Sequence, residues 1–121
     1  MNRPLDGIRV IEIASWMAAP SACAILADLG ADVVKVEPLG GDPMRNKNRQ
    51  PKIDDRPAID EPFQVDNRGK RSVAVALDRE EGAELVQRLV GDADVLVTNL
   101  LPHRQARFGL DPDALLATHP R

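Results

Sequence analysis

One pattern occurs twice along this chain and restricts its fold more than any other feature. Gly30-Ala31-Asp32-Val33-Val34-Lys35-Val36-Glu37 is echoed by Gly91-Asp92-Ala93-Asp94-Val95-Leu96-Val97-Thr98-Asn99. In each copy a helical stretch runs into a glycine, and an aspartate leads into a short β-branched run. Glycine takes the left-handed position that closes many helices. A short apolar run just beyond it reads as a strand buried on both faces. Two such junctions predict strand–helix–strand units, and hence an α/β fold with a Rossmann-like, doubly wound, mainly parallel sheet. Sheets of this kind bind ligands in the crevice at the carboxyl ends of their strands.

Strands are expected near 8–13, 31–37, 72–77 and 94–98. Between the first two, Pro20 suits the first turn of a helix over 21–29. Asp78, with Glu81 three residues on, has the form of a capping box, and Leu85, Val86, Leu89 and Val90 then recur at helical spacing. Pro102 to Phe108 reads as a short helix closed by Gly109, and Asp111-Pro112 opens another. Residues 44–66 lack periodicity and read as a long surface loop, with Arg45, Lys47, Arg49, Lys52 and Arg56 against Asp54 and Asp55. Long loops in small domains are often functional.

The 121 residues suffice for one domain, and the 43% hydrophobic fraction must build an aliphatic core, because Trp16, Phe63 and Phe108 are the only aromatics. A net charge of −3 argues against a generic nucleic-acid binder. A single cysteine, Cys23, suits a reducing compartment. Glu12 interrupts the only apolar run near the N-terminus, so no signal peptide is expected, and no stretch approaches a membrane span. These features predict a soluble, cytoplasmic protein.

The crevice rule groups the loops 14–19, 38–42, 78 onward and 99–107 on one rim. Ala18 and Ala19 leave room for a ligand to approach the backbone before Pro20, where helix N–H groups suit a phosphate. The glycine-rich dinucleotide fingerprint is absent from Ser15-Trp16-Met17-Ala18-Ala19-Pro20, which disfavours a nicotinamide dehydrogenase. Trp16 and Met17 suit either an adenine or a cover for the sheet end. Asn67-Arg68-Gly69-Lys70-Arg71 suits an anion site or, as charge runs more often do, a solvated turn guarding a strand edge. Arg107 could reach a phosphate, whereas Arg104 reads as a surface charge. His103 and His119 lack a second ligand at metal spacing, so no metal is expected. Cys23 reads as a small core residue, and Asp28, Asp32, Asp92 and Asp94 as structural. Glu37 is expected to meet a hydroxyl or Lys35, and Asp42 to lie in a mobile Gly-Gly loop.

Several blocks together resemble family III coenzyme A transferases (the CaiB/BaiF family). They are Pro4-Leu5-Asp6-Gly7-Ile8-Arg9-Val10-Ile11-Glu12, Ala18-Ala19-Pro20, residues 26–37, Asn67-Arg68-Gly69-Lys70-Arg71-Ser72, Ala93-Asp94-Val95 with Asn99, and Phe108-Gly109-Leu110-Asp111. The resemblance covers residues 1–121 as a partial, N-terminal coenzyme A-binding α/β domain. It implies coenzyme A or acyl-coenzyme A as substrate, no metal, and transfer of coenzyme A between an acyl-coenzyme A and a carboxylic acid through an aspartyl nucleophile. Related members are acyl-coenzyme A racemases; a non-catalytic coenzyme A-binding module is a further alternative. The resemblance also implies an interlocked homodimer, or a complementing chain if the protein is split. It places cofactor contacts on Met17, Ala18, Val75, Ala76, Leu77, Asp78, Asn99, Leu100, Leu101 and Arg107. Pro38 stands where many members carry an arginine. The catalytic aspartate is expected beyond Arg121, so the chain alone is expected to lack transferase activity.

Overall fold

A computed structural model of the chain describes residues 3–46 and 60–120. Four strands, β1 (Arg9–Ile13), β2 (Asp32–Glu37), β3 (Arg71–Ala74) and β4 (Val95–Thr98), form one sheet in the order β3-β2-β1-β4. Every neighbouring pair is parallel, as the doubled junction predicts. Among the described residues five α-helices accompany them: α1 (Ala18–Asp28), α2 (Glu61–Asn67), α3 (Glu80–Gly91), α4 (Pro102–Arg107) and α5 (Pro112–Thr118).

Alternation along the strands divides the core between the two faces. Val10 and Val33 pack with Cys23 and Ala27 of α1 on one side. Ile11, Ile13, Val34 and Val36 pack with Val86 and Val90 of α3, Phe108 and Leu110 on the other. β1 leads through α1 to β2, whereas the chain leaves β3 through α3 and crosses to the far side of β1 to form β4. The two halves of the sheet are thus wound in opposite directions from β1, and the reversal falls between β1 and β4.

The two glycine junctions differ. Gly30 closes α1 with φ +110°, its N–H bonding Ala27 O and the Ala31 N–H bonding Leu26 O, both at 3.0 Å. This is the reciprocal pair of a Schellman motif. Gly91 instead remains in α3 as its last residue, without positive φ, and Asp92 is the C-cap. The His119 ring lies 3.4 Å from where a Cβ would sit, an ordinary van der Waals distance, so neither space nor φ requires a glycine at this position.

Other boundaries also moved. β3 ends at Ala74 rather than Leu77, because Ala76 and Arg79 close a turn (Arg79 N–H to Ala76 O, 3.0 Å). That turn exists because Gly82 lets α3 approach it: a Cβ there would lie 2.0 Å from Ala76 O. The N-cap of α3 is Arg79, and Asp78 makes no capping bond, so the expected capping box does not form. The expected loop over 44–66 contains a 3₁₀ turn, Pro43–Asn46, and the helix α2, capped by Asp60 and started by Pro62; residues 47–59 lie outside the described residues. The cap of α5 by Asp111 is as expected, its carboxylate accepting the Ala114 N–H at 3.0 Å.

Candidate functional site

The carboxyl ends of the strands carry two different surfaces, because alternate residues point to opposite faces. On the α1 side, Glu12, Lys35 and Ser72 stand in register across β1, β2 and β3. Lys35 Nζ lies 2.8 Å from Glu12 Oε1 and 2.9 Å from Asp42 Oδ2, and donates to Ala14 O at 2.8 Å. The other Glu12 oxygen is 2.6 Å from Lys70 Nζ, which also donates to Pro20 O and Asp66 O. The side chains of Glu12, Lys35, Asp42 and Lys70 are all at most 2% exposed. Two carboxylates and two ammonium groups thus balance inside the domain. This is the condition under which buried charge is tolerated.

A second cluster adjoins it. Arg45 grips Glu37 with two bonds of 2.6 Å and stacks on the Phe63 ring, 4.1 Å from its centroid. The Ser72 hydroxyl and the Asp42 N–H also donate to Glu37. Burial alone would raise the Glu37 pKa, but the bonds from Arg45, Ser72 and Asp42 outweigh it and hold the carboxyl at about 2. Burial likewise opposes the charged form of Lys70 and, despite its bond to Glu12, leaves its pKa below the ordinary value. Cys23, wholly buried beneath this network, has its thiol pushed up to about 12, first by burial and then by Glu12.

These contacts bear out one sequence expectation and correct others. Glu37 meets a hydroxyl, that of Ser72, as expected, while Lys35 belongs to Glu12 and Asp42. Asp42 is buried and ion-paired rather than in a mobile loop. In the Arg68–Arg71 cluster the solvated turn before an edge strand holds for Arg68 and Arg71, which stay exposed while pairing with Asp28 and Asp32 in front of β3; Lys70 departs from it and is internal. The same pairs bear out the structural reading of Asp28 and Asp32, and Asp94 joins them by accepting the Arg9 N–H.

On the opposite side of the strand ends is a cleft of about 530 Å³. Ile13, Val36, Val75, Leu77, Leu100 and Phe108 give it an apolar floor; Ala14, Ser15, Pro38, Leu39, Ala76, Asp78 and Arg104 surround it. It lies beside the β1/β4 reversal, where doubly wound sheets hold ligands. The two loops there are clasped: the Asn99 side-chain amide donates to Ser15 O at 2.7 Å and accepts the Ser15 N–H at 3.2 Å. Trp16 follows with φ +71°, a conformation that a bulky residue rarely adopts. Trp16 and Met17 are 48% and 61% exposed, and α1 begins without a side-chain cap.

Of the residues singled out as cofactor contacts, Val75, Ala76, Leu77, Asp78 and Leu100 line the cleft. Met17, Ala18, Asn99 and Leu101 lie on the loops and helix start that border it. Arg107 lines a different and larger groove, about 880 Å³, between α3, α4 and α5. That groove meets the cleft at Phe108, which lines both, but none of its lining residues lies on a strand or at a strand end, and the smaller cleft is therefore the better candidate. Sequence reasoning missed Arg104, and missed Glu12, Lys35 and Lys70 as partners. Opposite charges in the middle of two otherwise apolar parallel strands were the available signal.

The sequence model of CoA-transferase family III matches residues 5–121. The succinate–glutarate CoA-transferase of Agrobacterium fabrum is 43% identical over an alignment that covers 98% of this chain and 30% of that protein. The alpha subunit of succinyl-CoA–L-malate CoA-transferase from Chloroflexus aurantiacus is 38% identical over 97% of this chain and 27% of its own length. The crystal structure of Rv3272 from Mycobacterium tuberculosis superposes with a TM-score of 0.88 at 38% identity, covering 98% of this chain and 32% of that one. The chain thus spans about a third of the length of the relatives it matches.

Proposed function

The chain belongs to CoA-transferase family III, and from that premise we propose that its strand-end cleft binds coenzyme A or an acyl-coenzyme A. The complete protein would then transfer coenzyme A between an acyl-coenzyme A and a carboxylic acid. The observation that carries this reading is the convergence at one place of loops 14–17, 75–78 and 99–101 around an apolar cleft, locked by the Ser15–Asn99 clasp.

In this reading the apolar floor takes the pantetheine arm, and the uncapped start of α1 offers backbone N–H groups to phosphate oxygens. Met17, Ala18, Val75–Asp78, Asn99, Leu100 and Leu101 form the binding rim, and Arg107 would join it from the adjoining groove, beyond Phe108. Asn99 acts chiefly by holding Ser15, since both ends of its amide are engaged there. The buried acids of this chain do not serve as the acyl-accepting nucleophile. Glu12 and Asp42 are neutralised by Lys35, and Glu37 accepts four hydrogen bonds. Their role is to fix the loops from beneath. We further propose that the protein works in the cytoplasm and as an assembly with a second chain. No described helix is long and apolar enough to cross a membrane, and one relative is named as a subunit.

Trp16 is the only tryptophan in the chain and stands at the rim, so binding is directly readable. Titration with coenzyme A should give saturable heat in a calorimeter and a matching change in tryptophan emission. Absence of both would refute the reading.

A further inference from the structure

The loop from Ala14 to Pro20 joins β1 to the first turn of α1 and borders the cleft. Trp16, in its middle, takes φ +71°. A bulky residue stays in that region only where its surroundings fix the chain on either side. Here both flanks are gripped by lysines that share one carboxylate. Glu12 Oε1 lies 2.8 Å from Lys35 Nζ, and Lys35 donates to Ala14 O at 2.8 Å. Glu12 Oε2 lies 2.6 Å from Lys70 Nζ, and Lys70 donates to Pro20 O at 2.8 Å. The loop is thus strung between two ammonium groups that Glu12 holds together.

Each lysine is anchored again from outside the loop. Lys35 lies 2.9 Å from Asp42 on the loop after β2. Lys70 donates to Asp66 O at 2.8 Å and to Asn67 Oδ1 at 3.0 Å, both on α2. The Asn99 clasp holds Ser15 alone, and the bond from Ser21 to Asp66 lies beyond Pro20, so neither spans Trp16. Glu12 is wholly buried and does not line the cleft. It can affect a ligand there only by placing the loop. Without its carboxylate, two like charges would repel across a buried space of low dielectric, and the grips on Ala14 and Pro20 would be driven apart.

We propose that the Lys35–Glu12–Lys70 bridge positions the cleft: it holds the 14–20 loop, before any ligand arrives, in the conformation that receives coenzyme A. This rests on the coenzyme A reading above and assigns a role in binding to three residues that lie outside the cleft.

The decisive variant removes one buried charge of each sign. Glu12→Gln/Lys70→Met leaves Lys35 paired with Asp42, so charge still balances, but the grip on Pro20 and its link to Lys35 are gone. It should resist urea better than Glu12→Gln alone. It should nevertheless bind coenzyme A about 10-fold or more weakly than wild type, because affinity falls with the fraction of molecules that keep the binding conformation. Emission from Trp16, the sole tryptophan, should shift in the folded, ligand-free variant. A bridge that merely stabilised the fold would return affinity along with stability. Wild-type affinity in the folded double variant would therefore overturn the proposal and leave the coenzyme A reading intact. If the wild-type chain itself binds no coenzyme A, that reading fails, and Trp16 emission decides whether the bridge holds the loop: a shift supports it and an unchanged spectrum overturns it. Should the double variant not fold, Lys70→Arg keeps every buried charge and lengthens one arm of the bridge. It should show the same loss of affinity and the same shift, and wild-type values there would overturn the proposal.

Discussion

Replacing Lys35 by methionine tests whether the buried charges stabilise the domain through their balance. Methionine matches the length of the lysine stem, so packing is largely kept and the ammonium is lost. Glu12 retains Lys70 at 2.6 Å. Asp42 loses its only cation within ion-pair distance among the described residues and keeps one backbone donor, the Met44 N–H at 2.8 Å. Ala14 O loses its donor as well. Removing one partner of a buried ion pair costs about 3–5 kcal/mol, and a domain of this size has roughly 5–15 kcal/mol to lose. Urea unfolding of Lys35→Met should therefore show a midpoint lowered by at least about a fifth, with little change in slope. Lys35→Met/Asp42→Asn should be less destabilised than the sum of the two single changes, with a coupling of about 1 kcal/mol or more. A loss below about 1 kcal/mol in Lys35→Met, or strict additivity in the double variant, would refute the argument.

Other perturbations address separate parts of the structure. Because the Glu37 pKa drops from 4.5 in the unfolded chain to about 2 in the folded one, its contribution is complete above about pH 5 and vanishes as pH falls towards 2. It amounts to on the order of 3 kcal/mol, and Glu37→Gln should flatten the acid limb of a stability–pH curve. Cys23, with its thiol raised to about 12, should resist alkylation at pH 8 in the native state and react fully in denaturant; native labelling at the free-thiol rate would contradict its burial. Gly82→Ala places a methyl 2.0 Å from Ala76 O and should cost roughly 2–4 kcal/mol, read as a lowered thermal midpoint. An unchanged midpoint would mean that α3 is not held against the 76–79 turn.

β1, β2 and β4 were legible because each is a Val- or Ile-rich run placed after a turn, and their parallel pairing followed from the helices between them; β3, with Val73 its only β-branched residue, was placed but drawn three residues too long. Helix α2 was not legible. Glu61-Pro62-Phe63-Gln64-Val65-Asp66-Asn67 buries only Phe63 and leaves Val65 exposed, so no helical period shows. The rim was found from the strand ends alone, since the crevice rule needs only their direction. The charge network was hidden for a different reason. Glu12 finds Lys35 23 positions on and Lys70 still further along, and no local pattern ties a carboxylate to a lysine at that distance. The same separation disguised Arg68 and Arg71, whose partners lie about 40 positions upstream in the chain.

The strand order also decides how much of the chain a ligand site of this kind requires. β1 meets β2 after a short excursion, Val10 pairing with Val33, but meets β4 only after most of the chain has passed, Val10 pairing with Val95. Closing the longer loop costs about 1 kcal/mol more in chain entropy, repaid by contacts that include the clasp between Ser15 and Asn99. The cleft lies across that late junction. A β1–α1–β2 unit taken by itself would have half a crevice and no Asn99 to hold it. The cleft exists only once residues from both ends of the described chain are side by side, which makes an occupied cleft a direct sign that the whole sheet has assembled.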